Sequence, residues 1–311
     1  MPPTAHGQRP IILVGTGRCG STMLHRLLAR HGELGWLSTF NETLPSQAWL
    51  AAFSGLYRTR LPDRVKHLAA FPKPFEAYRF WEHYLPGFSR RDRPQTAADV
   101  YEPGVEPVRR ATARILRFQR HSRLLAKVTG WSRIAYFDRI YPDAVFVSLR
   151  REPRAVVSSW VKAGWLDVTS PPDSDDWQWG EVPRAYLKLW RELGGGPLLS
   201  VALKMRLDLD DIAANVALFG DRCREIAYED LIASPAPTLR GLCEFAGLEW
   251  TADFERIVSE REFYDSTGKW RRHMSEPDGE LVLEFMRRSA TQADAASVSS
   301  AAQRPPTASS E

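Results

Sequence analysis

The sequence predicts an α/β fold with a central parallel β-sheet flanked by helices. Three short apolar runs, beginning at Ile11, Ala144 and Ile226, are each followed by a segment whose apolar residues have helical spacing. Strands that alternate with helices in this way usually lie parallel in one sheet, and the helices cover its faces. We therefore expect a single domain built around such a sheet.

The first unit begins with a predicted strand at residues 11–14, and a helix is expected from about Ser21 to Arg30. The helix is predicted because four apolar residues can form one stripe that faces the sheet. These are Met23, Leu24, Leu27 and Leu28. We expect His25 and His31 to be surface residues.

The second unit runs from the strand 144–149 into a helix that starts near Pro153, and the third runs from 226–228 into a helix closed by Gly247. Between the first two units, the segment from Glu42 to Tyr101 is rich in aromatic residues and prolines. It is predicted to be an irregular, partly helical insertion that covers the site.

Both ends of the chain are predicted to be disordered tails, over residues 1–9 and 289–311. The first is polar and rich in proline, and the second consists mainly of Ala, Ser, Gln, Thr and Pro. The predicted domain therefore spans residues 10–288.

The composition excludes several classes of protein. The chain has 311 residues and a net charge of +4. This charge suits an anionic ligand, but it is lower than the dense lysine and arginine charge of a dedicated nucleic-acid-binding protein. Its three scattered cysteines give no zinc or disulfide pattern, so we expect reduced thiols and a cytoplasmic protein. The apolar run at the N-terminus is too short for a signal or a membrane span. We expect neither a nucleic-acid nor a membrane partner, and the oligomeric state stays open.

The segment Gly15–Thr22 lies between the first strand and its helix, where backbone amides and the positive helix end attract anions. Gly15 and Gly20 have the spacing of a phosphate loop, which makes the domain P-loop-like, but Ser21 stands where a nucleoside triphosphatase needs lysine. The cation is Arg18 instead. The strand ending at Leu149 also has no terminal aspartate, so no metal is expected. The alternative is a glycine turn required only by packing.

A second cationic site is predicted where Arg151 and Arg154 follow a strand and Ser158 and Ser159 lie one to two turns into the next helix. Arginine charge and serine hydroxyls together can bind a second phosphate. The alternative is a solvated arginine cluster at the edge of the sheet.

These residues resemble the signatures of the sulfotransferase superfamily that uses 3′-phosphoadenosine 5′-phosphosulfate. Arg18–Thr22 is similar to the Arg/Lys-Ser-Gly-Thr-Thr signature, with Cys19 for Ser and Ser21 for the first Thr. Arg151 and Ser159 resemble the pair that binds the 3′-phosphate, and Arg150 and Ser158 share the same spacing in a second register.

Two later segments extend the resemblance, in the family's order. Tyr228–Leu231 is similar to the Tyr-Glu-Asp segment whose tyrosine contacts adenine. Ser266–Arg271 resembles the late Gly-x-Trp-Lys element that closes over the nucleotide, although Asp265 replaces its first glycine.

The resemblance implies a metal-independent in-line transfer of a sulfuryl group to an acceptor hydroxyl or amine, with adenosine 3′,5′-bisphosphate as the product. The acceptor is expected to be a small molecule or a glycan. Arg18 would stabilise the leaving phosphate. The residues implied in donor binding are Gly17, Arg18, Cys19, Gly20, Ser21, Thr22, Arg151, Ser159, Tyr228, Gly268, Lys269 and Trp270.

The general base has three candidates, Glu42, Glu76 and His83. We favour Glu42 because it follows the helix of the phosphate loop. In relatives that resemble the enzymes acting on protein tyrosines, a glutamate follows the first helix after a short loop. A count without gaps places Thr39, not Glu42, at that position. Two other functions stay open. One is a P-loop kinase, against which the missing lysine argues, and the other is a catalytically silent nucleotide-binding protein.

Overall fold

The computed structural model describes residues 9–59, 61–66, 68–166 and 170–302, with side chains for all of these except 63 and 293–302. Five strands form one parallel sheet in the order β2-β3-β1-β4-β5. The strands are β1 (Ile11–Gly15), β2 (Leu34–Trp36), β3 (Arg123–Lys127), β4 (Val145–Arg150) and β5 (Cys223–Ala227).

Helices connect and cover the strands, as the α/β pattern predicts. In chain order they are α1 (Ser21–Leu28), α2 (Thr39–Thr43), α3 (Asp63–Lys66), α4 (Tyr78–Tyr84), α5 (Glu102–Gln119), α6 (Ile134–Ile140), α7 (Pro153–Lys162), α8 (Arg184–Glu192), α9 (Pro197–Phe219), α10 (Tyr228–Ala233), α11 (Pro235–Ala246), α12 (Ala252–Ser259) and α13 (Glu276–Ala302). Short 3₁₀ helices cover Ala48–Arg58, Ala97–Asp99 and Thr267–Arg272.

The three predicted strands correspond to β1, β4 and β5, whereas β2 and β3 were missed. β2 has only three residues, and one of them is glycine. β3 begins with Arg123 and ends with Lys127, yet every one of its residues is buried. Arg123 is tolerated there because its guanidinium donates to the carbonyl oxygen of Ala246 at 2.8 Å.

The sheet has an apolar layer on each face, because successive side chains of a strand point to opposite sides. Ile12 and Val14 pack with the insertion, α5 and α6, whereas Ile11 and Leu13 pack with α1, α11 and α12. A third cluster joins α7, α8, α9 and α13. The predicted surface positions of His25 and His31 are wrong, because both imidazoles are buried in the second layer.

The insertion is largely irregular, as predicted, and contains the 3₁₀ helices at 48–58 and 97–99 with α3 and α4 between them. Its 48–58 helix packs along α5, while α4 packs against both α2 and α5. None of the helices in the described ranges is both long and apolar enough to cross a bilayer.

The predicted C-terminal tail is helical over its described part, since α13 continues to Ala302 and Ser289 is fully buried. Val282, Phe285 and Met286 anchor the first half of this helix, and the alanine-rich sequence that follows has a high helix propensity. Residues 1–8 and 303–311 lie outside the described residues. The domain bounds at 10 and 288 stay predictions.

Candidate active site

The carboxyl ends of four strands meet at one edge of the sheet, because all of these strands are parallel. The last residues of these strands are Gly15 in β1, Lys127 in β3, Arg150 in β4 and Ala227 in β5. Ligand sites of open α/β sheets lie at this edge. The phosphate loop and the two later segments predicted from the sequence are therefore brought together.

The phosphate loop is held close to two neighbours through its glycines. A Cβ at Gly15 would lie 2.8 Å from the carbonyl oxygen of Leu149, so β1 and β4 require glycine here. Gly20 caps α1 with φ of 97°, a left-handed conformation that favours glycine. A Cβ there would lie 2.5 Å from the ring of Tyr228. Tyr228 is thus placed directly against the loop.

Arg18 links the phosphate loop to α7. Its Nε donates to Oγ of Ser159 at 2.8 Å, although the two residues are 141 positions apart. The guanidinium also lies 5.2 Å from the ring centre of Trp165, a favourable cation–π distance. The structure therefore brings together two residues predicted to bind opposite ends of one nucleotide.

Arg151 joins the same cluster through three contacts. It donates to the carbonyl oxygen of Arg18 at 3.1 Å and to Oγ of Ser266 at 2.8 Å. Its guanidinium lies 4.3 Å from the ring centre of Tyr228, whose hydroxyl is 2.9 Å from the same Ser266 oxygen. Among the described residues, the buried Nε of Arg151 has no hydrogen-bond partner. A buried charged donor of this kind suits an anionic ligand.

Arg150 and Ser158, which form the alternative register of the second site, have partners outside the phosphate loop. Arg150 pairs with Glu225 at 3.0 Å on an exposed part of the surface. Ser158 donates to the carbonyl oxygen of Trp270 at 3.4 Å. Of the two registers, it is Arg151 and Ser159 that contact Arg18 of the phosphate loop, which favours the register chosen from the sequence.

The late segment contributes through a residue that was not predicted. Trp270 is buried, and its ring packs between the guanidinium groups of Arg154 and Arg271, while Gly268 and Lys269 are exposed. Ser266 is the residue of this segment that contacts both Arg151 and Tyr228. Ser266 begins the segment that resembles the late element, but no role was predicted for it. Roles for Gly268, Lys269 and Trp270 in nucleotide binding stay predictions.

Cys19 is fully buried, and burial raises the pKa of its thiol. A thiol that stays protonated is a weak nucleophile, so Cys19 acts here as a small apolar residue. This explains why cysteine is tolerated where the resembling signature has serine.

Sequence reasoning missed Lys127, a buried lysine beside the loop. Its Nζ donates to Oγ1 of Thr22 at 2.7 Å and pairs with Oε1 of Glu76 at 2.7 Å. Oγ1 of Thr129 donates to the same carboxylate oxygen at 3.2 Å. The available signal was a lysine at the end of the apolar run 124–126, and it was lost because β3 itself was not predicted.

The three candidate bases have different positions. Glu76 lines a cavity together with Gly17 of the loop. The carboxylate of Glu42 accepts a hydrogen bond from the backbone N–H of Arg79 at 2.9 Å, near the start of α4, and Glu42 is not among the residues that line the cavity. The ring of His83 packs edge-on against Tyr84 on the exposed side of α4. The geometry therefore favours Glu76.

The cavity beside Glu76 has a volume of about 550 Å³, within the usual range for small-molecule sites. Four tryptophans line it, namely Trp131, Trp160, Trp165 and Trp179. Lys204 also lines it and pairs with Asp208, whose pKa is raised because the carboxylate is fully buried. The cavity thus combines four indole rings with four charged side chains, those of Glu76, Arg91, Arg133 and Lys204.

The sheet order, the loop at the end of the first strand and the arginines after β4 define a P-loop-like phosphate-binding protein. Within this class, the chain belongs to the sulfotransferase family, whose model matches residues 10–252. Among the described residues, no group of three or more His, Cys, Asp or Glu side chains is arranged to hold a metal ion.

Several known proteins are similar to this chain. The omega-hydroxy-beta-dihydromenaquinone-9 sulfotransferase Stf3 of Mycobacterium bovis is 26% identical over 274 residues, and the same protein of Mycobacterium tuberculosis gives the same values. The match covers 79% of this chain but only 64% of these relatives.

Two solved structures share the fold. Sulfotransferase STF1 of Mycobacterium tuberculosis superposes with a TM-score of 0.56 and 18% identity, over 91% of this chain and 77% of that one. Sulfotransferase STF9 of Mycobacterium avium gives a TM-score of 0.54 and 16% identity, over 90% and 76% of the two chains.

Proposed function

We propose that this protein transfers a sulfuryl group from 3′-phosphoadenosine 5′-phosphosulfate to a hydroxyl group of a small molecule. The observation that carries the proposal is the cluster in which Arg18 contacts Ser159 and Arg151. Two arginines and a serine hydroxyl beside a phosphate loop suit a nucleotide that carries phosphate groups at both ends of its ribose. Membership of the sulfotransferase family supports the same donor.

Each end of the donor has its own set of residues in this proposal. The backbone amides of Gly20, Ser21 and Thr22 bind the 5′-phosphosulfate at the start of α1. Arg151 and Ser159 bind the 3′-phosphate, and this contact distinguishes the donor from other adenosine nucleotides. Tyr228 packs against Gly20 and provides a ring beside the adenosine.

In the chemical step, the bond from the acceptor oxygen to sulfur forms as the bond from sulfur to the 5′-phosphate oxygen breaks. Negative charge accumulates on the leaving phosphate, and Arg18 stabilises it there. The acceptor proton passes to a carboxylate. We propose Glu76 as this base because it lines the cavity and is tied to the loop through Lys127. Glu42, the base favoured from the sequence, has its carboxylate bound to the backbone of α4 instead.

The cavity indicates the class of acceptor. Four indole rings line a space of about 550 Å³, which favours a molecule with an apolar or aromatic body. The related Stf3 proteins are named for a hydroxylated menaquinone, which is an apolar molecule with a hydroxyl group. We therefore propose an apolar alcohol or phenol as the acceptor and consider a glycan a poorer fit.

The proposal is tested by incubating the protein with donor labelled at sulfur and a panel of apolar alcohols, phenols, amines and glycans, with EDTA present throughout. Label should pass to an alcohol or phenol, and Arg18→Ala should abolish most of this transfer. In a parallel reaction with labelled ATP in place of the sulfuryl donor and Mg²⁺ in place of EDTA, transfer of phosphate to an acceptor would instead identify a kinase. Donor binding without transfer to any acceptor class would favour a silent nucleotide-binding protein.

A further inference from the structure

Large apolar side chains are unusually exposed in one part of the insertion. Twelve large hydrophobic residues are exposed in the described part of the chain, and seven of them lie between Leu44 and Phe75. They are Leu44, Trp49, Phe53, Leu56, Leu61, Leu68 and Phe75. A concentration of this kind in one segment favours an interaction surface, because monomeric soluble proteins rarely expose large apolar patches. We call it the 44–75 surface.

The 3₁₀ helix Ala48–Arg58 forms the centre of this surface. A 3₁₀ helix has three residues per turn, so its buried residues Ala51, Ser54 and Tyr57 form one inner ridge. Trp49 and Phe53 face outward, 52% and 47% exposed, and their rings lie 6.3 Å apart. No charged residue occurs between Ala48 and Tyr57. The exposed side of this helix is therefore apolar, whereas an ordinary surface helix is polar there.

The same segment concentrates positive charge. Between residues 44 and 75 the sequence has five lysines and arginines and one aspartate, a net charge of +4, which equals the net charge of the whole chain. The other parts of the chain are therefore electrically neutral in sum. The cations are Arg58, Arg60, Arg64, Lys66 and Lys73.

We propose that the 44–75 surface docks onto an anionic lipid bilayer. Exposed tryptophan, phenylalanine and leucine flanked by basic residues are typical of proteins that bind the membrane interface without crossing it. Trp49 and Phe53 enter the boundary between headgroups and acyl chains, and Arg64 and Lys66 lie close to the lipid phosphates. This departs from the sequence-based expectation that the protein has no membrane partner.

A second copy of the chain is a poorer partner for this surface. Two such surfaces brought face to face would bring like charges together, among them the exposed Arg64 of each copy. Juxtaposed like charges suppress association. An anionic bilayer has the opposite charge and an apolar interior, and it therefore satisfies both properties of the surface.

The 44–75 surface is joined in the chain to a residue of the proposed acceptor cavity. The backbone N–H of Phe75 donates to the carbonyl oxygen of Leu37 at 2.9 Å, and the next residue, Glu76, lines the cavity. The docking itself does not depend on the proposed reaction, since it rests on exposure and charge alone.

The test is co-sedimentation of the full chain with vesicles of phosphatidylcholine alone or with about one third phosphatidylglycerol. We expect binding to the anionic vesicles, and the double variant Trp49→Ser, Phe53→Ser should lower the partition coefficient about tenfold or more. Arg64→Gln should lower it about fivefold, and high salt should weaken binding further. Leu218→Ser is the matched control, because Leu218 is 78% exposed on α9 outside this surface and should not affect binding.

Three outcomes would overturn the proposal. One is wild-type protein that stays in the supernatant with anionic vesicles, and another is equal loss of binding in the Leu218 control. The third is a wild-type protein that binds no vesicles and forms a dimer in sedimentation velocity, while the double variant is a monomer. That result would assign the surface to a second copy of the chain. Circular dichroism of each variant checks that the fold is intact.

Discussion

The Nε atom of Arg18 donates a hydrogen bond to Oγ of Ser159 at 2.8 Å, which joins the phosphate loop to the helix after β4. The two residues are contributed by α/β units that are neighbours in the sheet but distant in the chain. Arg18 is therefore held beside both predicted phosphate positions. Its side chain can stabilise charge that develops on a leaving phosphate without a large movement.

We expect Arg18→Ala to lower kcat about a hundredfold or more while donor binding weakens much less. A charge aimed at the leaving oxygen acts mainly as the transition state forms, and loss of such a contact typically costs about 2.7–4 kcal/mol. Steady-state kinetics gives kcat and KM separately, and Arg18→Lys is the control that keeps the charge. A higher KM with unchanged kcat would make Arg18 a binding residue only.

The two carboxylates near the cavity are distinguished by Glu76→Gln and Glu42→Gln. Removal of the base should lower kcat about 10²–10⁴-fold, and we expect this for Glu76→Gln, with binding of adenosine 3′,5′-bisphosphate retained. Glu42→Gln should keep its activity and lose about 1 kcal/mol of stability, because its carboxylate accepts from the backbone of α4. Inactivity of Glu42→Gln alone would restore the sequence-based choice.

Gly20→Ala should impair both the loop and its contact with Tyr228. The left-handed φ of 97° costs about 1–3 kcal/mol for a non-glycine residue, and the new Cβ would meet the tyrosine ring at 2.5 Å. We expect a lower midpoint of thermal unfolding and weaker bisphosphate binding by calorimetry. Gly55→Ala is a suitable control, because a Cβ at Gly55 would meet no atom within 4 Å. Normal binding by Gly20→Ala would show that the loop tolerates a side chain there.

The folded protein should become less stable as the pH falls, because two histidines stay neutral in the folded state. Burial lowers the pKa of His25 well below its usual range and that of His121 to about 4, with added repulsion from Lys127 and Arg58 respectively. The unfolded chain takes up these protons near pH ~6.5, before the folded chain can. The free energy of unfolding should therefore decrease as the pH falls from about 6.5 towards 4.

Urea unfolding at about pH 7.5 and about pH 5 measures this decrease. His121→Gln should make it smaller, because one of the two groups no longer titrates. Equal stability at the two pH values in the wild-type protein would contradict the account of the buried imidazoles.

Much of the donor site was predictable because its signals are local. Gly15, Arg18 and Gly20 lie within one short loop whose spacing predicted a phosphate site, whereas the register of Arg151 and Ser159 was chosen from the resemblance to the sulfotransferase signatures. Ser266 was missed because its role depends on Arg151, 115 residues away in the chain. No local pattern encodes such a contact.

The acceptor side was less predictable. Lys127 was overlooked because a strand with cations at both ends does not resemble a buried strand, although both cations have hydrogen-bond partners. Glu76 was ranked below Glu42 because the sequence shows no tie between it and the phosphate loop, and because the direction of its aromatic, helical stretch depends on packing against α2 and α5. Periodicity carries no information about that packing.

The most direct test of the central claim is a calorimetric titration with adenosine 3′,5′-bisphosphate and with adenosine 5′-monophosphate, both in EDTA. The bisphosphate should bind far more tightly, and Arg151→Ala should remove about 1.5–3 kcal/mol of that preference, as expected for a hydrogen bond to a charged group. Arg150→Ala should retain the preference, because Arg150 pairs with Glu225 outside the site. Equal affinity of the wild-type protein for the two nucleotides would contradict the assignment of this chain's donor site.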